Sequence, residues 1–150
     1  MLEIGKKAPD FLLDGMDNKK HSLKDFKSKY LIIYFYPRDL TPGCTIEANE
    51  FNKNLDTLKK MGAEVIGISN DDIKSHAKFT NKCDLKFMLL SDTDSITIKA
   101  YESYGDRGIF GVGTLRNTYI LKNGVIVKTF EKVNPKEHIN EIINALKELG

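Results

Sequence analysis

The run Leu31-Ile32-Ile33-Tyr34-Phe35-Tyr36 constrains this chain more than any other segment. Six apolar or aromatic residues in succession leave no polar face, so a strand formed by them must be covered on both sides and sit centrally in a sheet. The flanking sequence supplies the covering layers. Phe51, Leu55, Leu58 and Met61 recur at helical spacing over 42–61, with Gly62 as the stop. Val65 to Ser69 reads as a second buried strand. Ser69 or Asn70 then caps a helix from about Asp71 to Lys82, which carries Ile73, Ala77 and Phe79. Phe87 to Leu90 reads as a short strand and Ser95 to Tyr104 as a helix. The glycine-rich stretch Gly105 to Gly113 reads as a loop, a candidate mobile wall. Leu115 to Leu121 and Val125 to Glu131 flank Asn123-Gly124, a strong hairpin signal. Asn134 and Pro135 open a last helix with Ile139, Ile142, Ile143, Leu146 and Leu149 on one face. At the other end, Ala8 to Leu13, a turn over 15–20 and a helical turn at His21 to Phe26 predict an opening hairpin. The pattern is an α/β chain, residues 1–150 as one domain, with a mixed sheet flanked by helices on both faces and no linker or repeat.

A chain of 150 residues with 41% hydrophobic content is long enough to bury a real core. Its 23 basic and 21 acidic residues are spread evenly, a formal charge of +2, so no basic face argues for nucleic acid. Met1 to Asp10 lacks a hydrophobic signal region, and the apolar run Tyr30 to Tyr36 is too short to span a bilayer. These features predict a cytoplasmic protein without membrane contact. Lys and Glu on the helix faces leave no obvious apolar interface, and a monomer is expected.

Cys44 and Cys83 are the only cysteines. Neither belongs to a Cys-x-x-Cys pair or has a histidine at ligand spacing, so no metal site is expected. In a reducing compartment two separated thiols serve catalysis, transient disulfide chemistry, or nothing. Context favours the first for Cys44. Thr41 is a good N-cap and Pro42 suits the first helical position, which puts Cys44 in the first turn, where unpaired N–H groups and the helix dipole favour an anion. Thiols at helix N-termini titrate at roughly 3.5 to 7.5, and the thiolate is the nucleophile. Without Thr41 and Pro42, Cys44 would read as an ordinary small buried residue.

The spacing Pro37-x-x-x-Thr41-x-x-Cys44, together with Thr41-Pro42-Gly43-Cys44-Thr45 and Glu47, resembles the peroxiredoxin family and, within it, the bacterioferritin comigratory protein or Q-type group. The similarity extends through Gly5 to Phe11, Leu89 to Asp92 and Arg116 to Leu121. It implies a thioredoxin-like fold with an N-terminal extension, and a thiol peroxidase that reduces hydrogen peroxide and organic hydroperoxides without a cofactor. Cys44 would be the peroxidatic nucleophile, oxidised to sulfenic acid. Thr41 would hydrogen-bond thiolate and peroxide, Arg116 on its strand would stabilise the thiolate and the transition state, and Pro37 would shield the sulfur. Glu47 matches an acidic family position but equally suits an ordinary first-turn acid, while Arg38 and Asp39 read as solvated loop charges.

Many Q-type members carry a resolving cysteine five residues after the reactive one, where this chain has Asn49. Cys83 is then the candidate resolving cysteine, against a reading in which it is incidental. Thioredoxin is the expected reductant if Cys83 resolves, and a small thiol or glutaredoxin-type donor if it does not. Two rival classes fit less well. A disulfide reductase needs a second cysteine near Cys44, and a binding module or chaperone leaves Thr41, Cys44 and Arg116 without a reason to coincide.

Overall fold

The computed structural model describes all 150 residues. Its centre is a seven-stranded mixed sheet in the order β2-β1-β5-β4-β3-β8-β9. The strands are β1 (Leu12–Gly15), β2 (Lys20–Ser22), β3 (Tyr30–Phe35), β4 (Ala63–Ser69), β5 (Met88–Ser91), β8 (Thr118–Lys122) and β9 (Val125–Phe130). As its apolar run requires, β3 is buried along its whole length, parallel to β4 and antiparallel to β8. Alternate side chains of β3 feed two cores. Tyr30, Ile32 and Tyr34 join Phe51, Leu58, Phe79, Ile139 and Ile142 from four helices: α1 (Pro42–Lys53), α2 (Leu55–Lys60), α3 (Ile73–Cys83) and α5 (His138–Leu149). Leu31, Ile33 and Phe35 pack on the other face against Ile98 of α4 (Ile96–Ala100), Tyr101 and the N-terminal residues Ala8, Phe11 and Leu13. No helix is long and apolar enough to cross a membrane.

The opening hairpin forms as expected, β1 pairing with β2 and also with β5, although the strand begins at Leu12 and not at Ala8. Residues before it run along the opposite edge of the sheet, where Gly5 N–H donates to Ile126 O and Ala8 N–H to Gly124 O. Asn123 and Gly124 both take positive φ, 51° and 75°, which gives the β8–β9 hairpin a turn twisted like its strands.

Local competition moved three boundaries. The helix expected over 42–61 breaks at Asn54, whose side-chain amide donates to Glu50 O at 2.8 Å and whose own N–H reaches only Phe51 O. The cap of α3 is Asp72, which accepts from Ser75 N at 2.8 Å. α5 begins at His138, because Asn134 Oδ1 accepts from Lys136 N and forms a separate turn first. The glycine-rich stretch folds as a small antiparallel hairpin of β6 (Tyr104–Asp106) and β7 (Val112–Thr114), with Ile109 and Phe110 exposed at its tip.

One glycine is required by the core. A Cβ on Gly67 in β4 would lie 2.9 Å from Leu89 Cδ2 and 2.9 Å from two ring atoms of Tyr34, all buried. Gly67→Ala is expected to destabilise the protein by about 1–3 kcal/mol through overpacking, read as a lower urea midpoint at unchanged m-value.

Candidate active site

Pro37 has no N–H to continue the ladder of β3, and the chain turns through residues 37–41 before α1 begins. Thr41 is the N-cap in extended conformation and Pro42 follows at the first helical position. Cys44 therefore sits in the first turn, 1% exposed, as a free thiol packed into the core cluster that includes Tyr36, Ala48 and Phe51. The open N-terminal N–H groups and the dipole of a 12-residue helix are directed at this turn.

Arg116 lies just before β8, not within it, and is anchored by Val133 N–H donating to its carbonyl at 2.9 Å. Its guanidinium rests directly on the start of α1. A Cβ at Gly43 would fall 2.6 Å from Nη2, and Nη1 donates to Glu47 Oε1 at 3.3 Å, so the cation spans the turn on either side of Cys44 in sequence. Glu47, left at even odds by the sequence, is thus Arg116's partner. It is 1% exposed with Oε2 unbonded, and burial raises its carboxyl to about 8 against the pull of Arg116. On the solvent side Arg116 lines a cleft of about 330 Å³ with Asp106, Arg107, Gly108, Leu115, Lys132 and Val133.

Thr41 caps with its backbone alone. Its hydroxyl donates to Arg38 O at 2.8 Å, so the donation to a thiolate expected from the sequence is not made in this arrangement. With its proton committed, Thr41 Oγ1 is free to accept a hydrogen bond. Pro37 is half-buried beside these residues.

Asp39 corrects the reading of a solvated loop charge. It is buried, accepting from Tyr36 Oη at 2.6 Å and Ser75 Oγ at 2.8 Å and lying 2.6 Å from His76 Nδ1. Its short spacing from Tyr36 was visible, but its partners on α3 are 36 and 37 residues away. Gly43 was also missed as a site residue. Its signal was a glycine inside a helical turn, where glycine is otherwise unfavourable.

Cys83 is half-buried and free at the last position of α3. Asn52 Nδ2 donates to Asp84 O at 3.0 Å, so the residue after Cys83 meets α1 at a position eight residues beyond Cys44, roughly 12 Å along the helix at 1.5 Å per residue.

A second buried ionisable group opposes Glu47 in its effect on stability. His138, between the rings of Phe51 and Phe130 and bonded through Nε2 to Thr118 Oγ1 at 2.8 Å, is lowered by burial to about 4 from 6.5. Between pH 6.5 and 4 the unfolded chain takes up a proton that the native imidazole refuses. Stability from this group is therefore full above 6.5 and falls by about 3 kcal/mol as pH drops to 4. Glu47, raised from 4.5 to about 8, stabilises below 4.5 and loses that contribution as pH rises through 8. Urea titrations across pH should show the two nearly cancelling between 4.5 and 6.5. In Glu47→Gln, stability should fall more steeply than wild type below pH 6.5 and stay flat from 6.5 to 8, where wild type declines.

Residues 4–129 match the model of the AhpC/TSA family. A putative peroxiredoxin bcp from Helicobacter pylori is 41% identical over 149 residues, 97% of this chain and 98% of the relative. The crystal structure of a PrxQ variant from Xylella fastidiosa superposes with a TM-score of 0.93 at 31% identity, covering 99% of this chain and 98% of that one. The bacterioferritin comigratory protein of Xanthomonas campestris, studied for alkyl peroxide reduction, superposes with a TM-score of 0.89 at 33% identity, covering 99% and 98%. The fold is that of thioredoxin-like peroxiredoxins, as the resemblance implied, and the chain belongs to the AhpC/TSA family as a peroxiredoxin of the Bcp/Q group, a thiol-dependent peroxidase.

Proposed function

We propose that Cys44 is the thiol that meets peroxide, and the observation that carries this reading is the Arg116 guanidinium laid across the first turn of α1 at Gly43 and Glu47. The Cys44 thiolate attacks the terminal oxygen of a hydroperoxide. The S–O bond forms as the O–O bond breaks, the electron pair leaves with the alkoxide or hydroxide, and a proton taken up there releases alcohol or water. Cys44 is left as sulfenic acid. Arg116 stabilises the thiolate and the charge that develops on the oxygens. Thr41 Oγ1, its proton held by Arg38 O, accepts the hydroperoxide O–H and orients it. Pro37 shields the sulfur.

Cys83 then resolves the sulfenic acid as a disulfide, with loss of water. The separation along α1 requires its first turns, the end of α3, or both to unwind. Thioredoxin reduces that disulfide. Substrates are hydrogen peroxide and small organic hydroperoxides, in keeping with the alkyl peroxide reduction studied in the Xanthomonas relative. The chain acts as one domain and a monomer in the cytoplasm, without nucleic acid or membrane contact.

Mass spectrometry after one equivalent of hydrogen peroxide tests the cycle. Wild type should yield a Cys44–Cys83 disulfide, and Cys83→Ser a Cys44 sulfenic acid trapped by dimedone. Free Cys83 in oxidised wild type would establish a one-cysteine enzyme, and unmodified Cys44 in both proteins would remove the peroxidatic assignment.

A further inference from the structure

The loop between β3 and α1 holds an unfavourable shape. Leu40 has φ 64°, a left-handed conformation unfavourable for a non-glycine residue, and it lies directly between Asp39 and Thr41. Arg38, Leu40 and Pro42 are exposed, so packing above the loop does not impose this shape. The loop is held across Leu40 by Thr41 Oγ1 donating to Arg38 O, and from below through Asp39. Its N–H donates to Asp71 Oδ2 at 2.8 Å, and Asp71 Oδ2 also accepts from Ser69 Oγ at 2.7 Å. Its carboxylate binds Tyr36, Ser75 and His76, and the His76 and Asp39 side chains are 0% and 1% exposed.

The ring of His76 is tied at both nitrogens. Nε2 faces Leu90 O at 3.0 Å, and a carbonyl only accepts, so Nε2 carries a proton. Nδ1 shares the 2.6 Å hydrogen bond with Asp39 Oδ2. Asp39, Asp71 and His76 place ligand-type atoms within 4.8 Å of one another, but Nε2 is turned to Leu90 O and Nδ1 is engaged by Asp39.

We propose that Asp39 and His76 are a positioning pair for the peroxidase reaction: they hold Leu40 in its left-handed conformation and thereby fix Thr41 and the first turn of α1 around Cys44. The proposal rests on Cys44 being the oxidised thiol. If the pair is cut, Leu40 relaxes to negative φ and Thr41, its chain neighbour, turns with it. Displacement of reacting groups by about 1 Å costs on the order of 100-fold in rate.

The pair is distinguishable from generic core packing by Asp39→Asn. An asparagine amide can donate to His76 Nδ1 while Nε2–H still meets Leu90 O, so this variant keeps the hydrogen-bonded geometry. Quenched-flow oxidation of Cys44 by hydrogen peroxide, read by mass spectrometry, should be about 10- to 100-fold slower in Asp39→Ala and His76→Gln than in wild type. Asp39→Asn should stay within about threefold of wild type, since its hydrogen bonds persist.

Wild-type rates in Asp39→Ala or His76→Gln would overturn the proposal, as would an Asp39→Asn variant as slow as Asp39→Ala. If Asp39→Ala does not fold, His76→Gln and Asp39→Asn carry the same comparison. Failure of wild-type Cys44 to oxidise would instead remove the underlying peroxidatic reading.

Discussion

Cys44→Ser is expected to reduce peroxide consumption with a thiol donor to background, a loss on the order of 10⁴-fold or more, because the nucleophile itself is removed. A serine hydroxyl is not ionised at neutral pH and is a far poorer nucleophile than sulfur. Cys83 does not substitute for it. That thiol closes α3, and burial pushes it up, so less of it is thiolate. The exchange of Sγ for Oγ is nearly isosteric, so the variant should fold, at the modest penalty of a hydroxyl in an apolar cluster. Peroxide remaining over time is the direct readout. Retention of more than about a tenth of wild-type turnover would be incompatible with Cys44 as nucleophile.

Arg116→Ala should lower kcat/KM for peroxide by about 10²–10³-fold, the range for losing one preorganised donor to a developing anion. Gly43→Ala should reproduce a large part of that loss with the arginine still present. The new methyl would lie 2.6 Å from Nη2 and force the guanidinium off the first turn. One further variant separates chemistry from folding. Arg116→Ala also leaves the buried Glu47 carboxyl without its hydrogen-bond donor, which destabilises the protein in addition to slowing it. Adding Glu47→Leu to Arg116→Ala, which removes the unbonded polar group, should recover much of the stability and none of the rate. Recovery of rate in that double variant would show that Arg116 matters through Glu47 and not through peroxide. A Gly43→Ala enzyme as fast as wild type would show that the close approach has no catalytic role.

Much of this was legible in the chain because its strongest signals are local. The unbroken apolar run of β3 dictated a central strand, Asn123-Gly124 dictated its hairpin, and Thr41-Pro42 placed Cys44 in a first turn. What was not legible depended on distant partners. Asp39 looks solvated until Ser75 and His76 arrive from α3, and Glu47 is ambiguous until Arg116 arrives 69 residues later. Asn54 and Asn134 belong to a third kind. Their side chains compete with the helix backbone, and the outcome turns on a balance too fine for periodicity to decide. The hairpin at Tyr104 to Thr114 was hidden by its glycines, which signal a turn but also permit close strand pairing.

Cys44 and Cys83 are both free, and the end of α3 that carries Cys83 meets α1 eight residues beyond Cys44, with a consequence for timing. Where the second thiol must travel to the first, the sulfenic acid waits for a segment of helix to melt, and that waiting time is independent of peroxide. Further oxidation of the same sulfur accelerates with every added molecule of oxidant. On the proposed cycle, the dose at which the enzyme begins to destroy itself is a race between a folding rate and a concentration, and substitutions that stiffen the first turn of α1 should lower that dose even where they leave the first chemical step untouched.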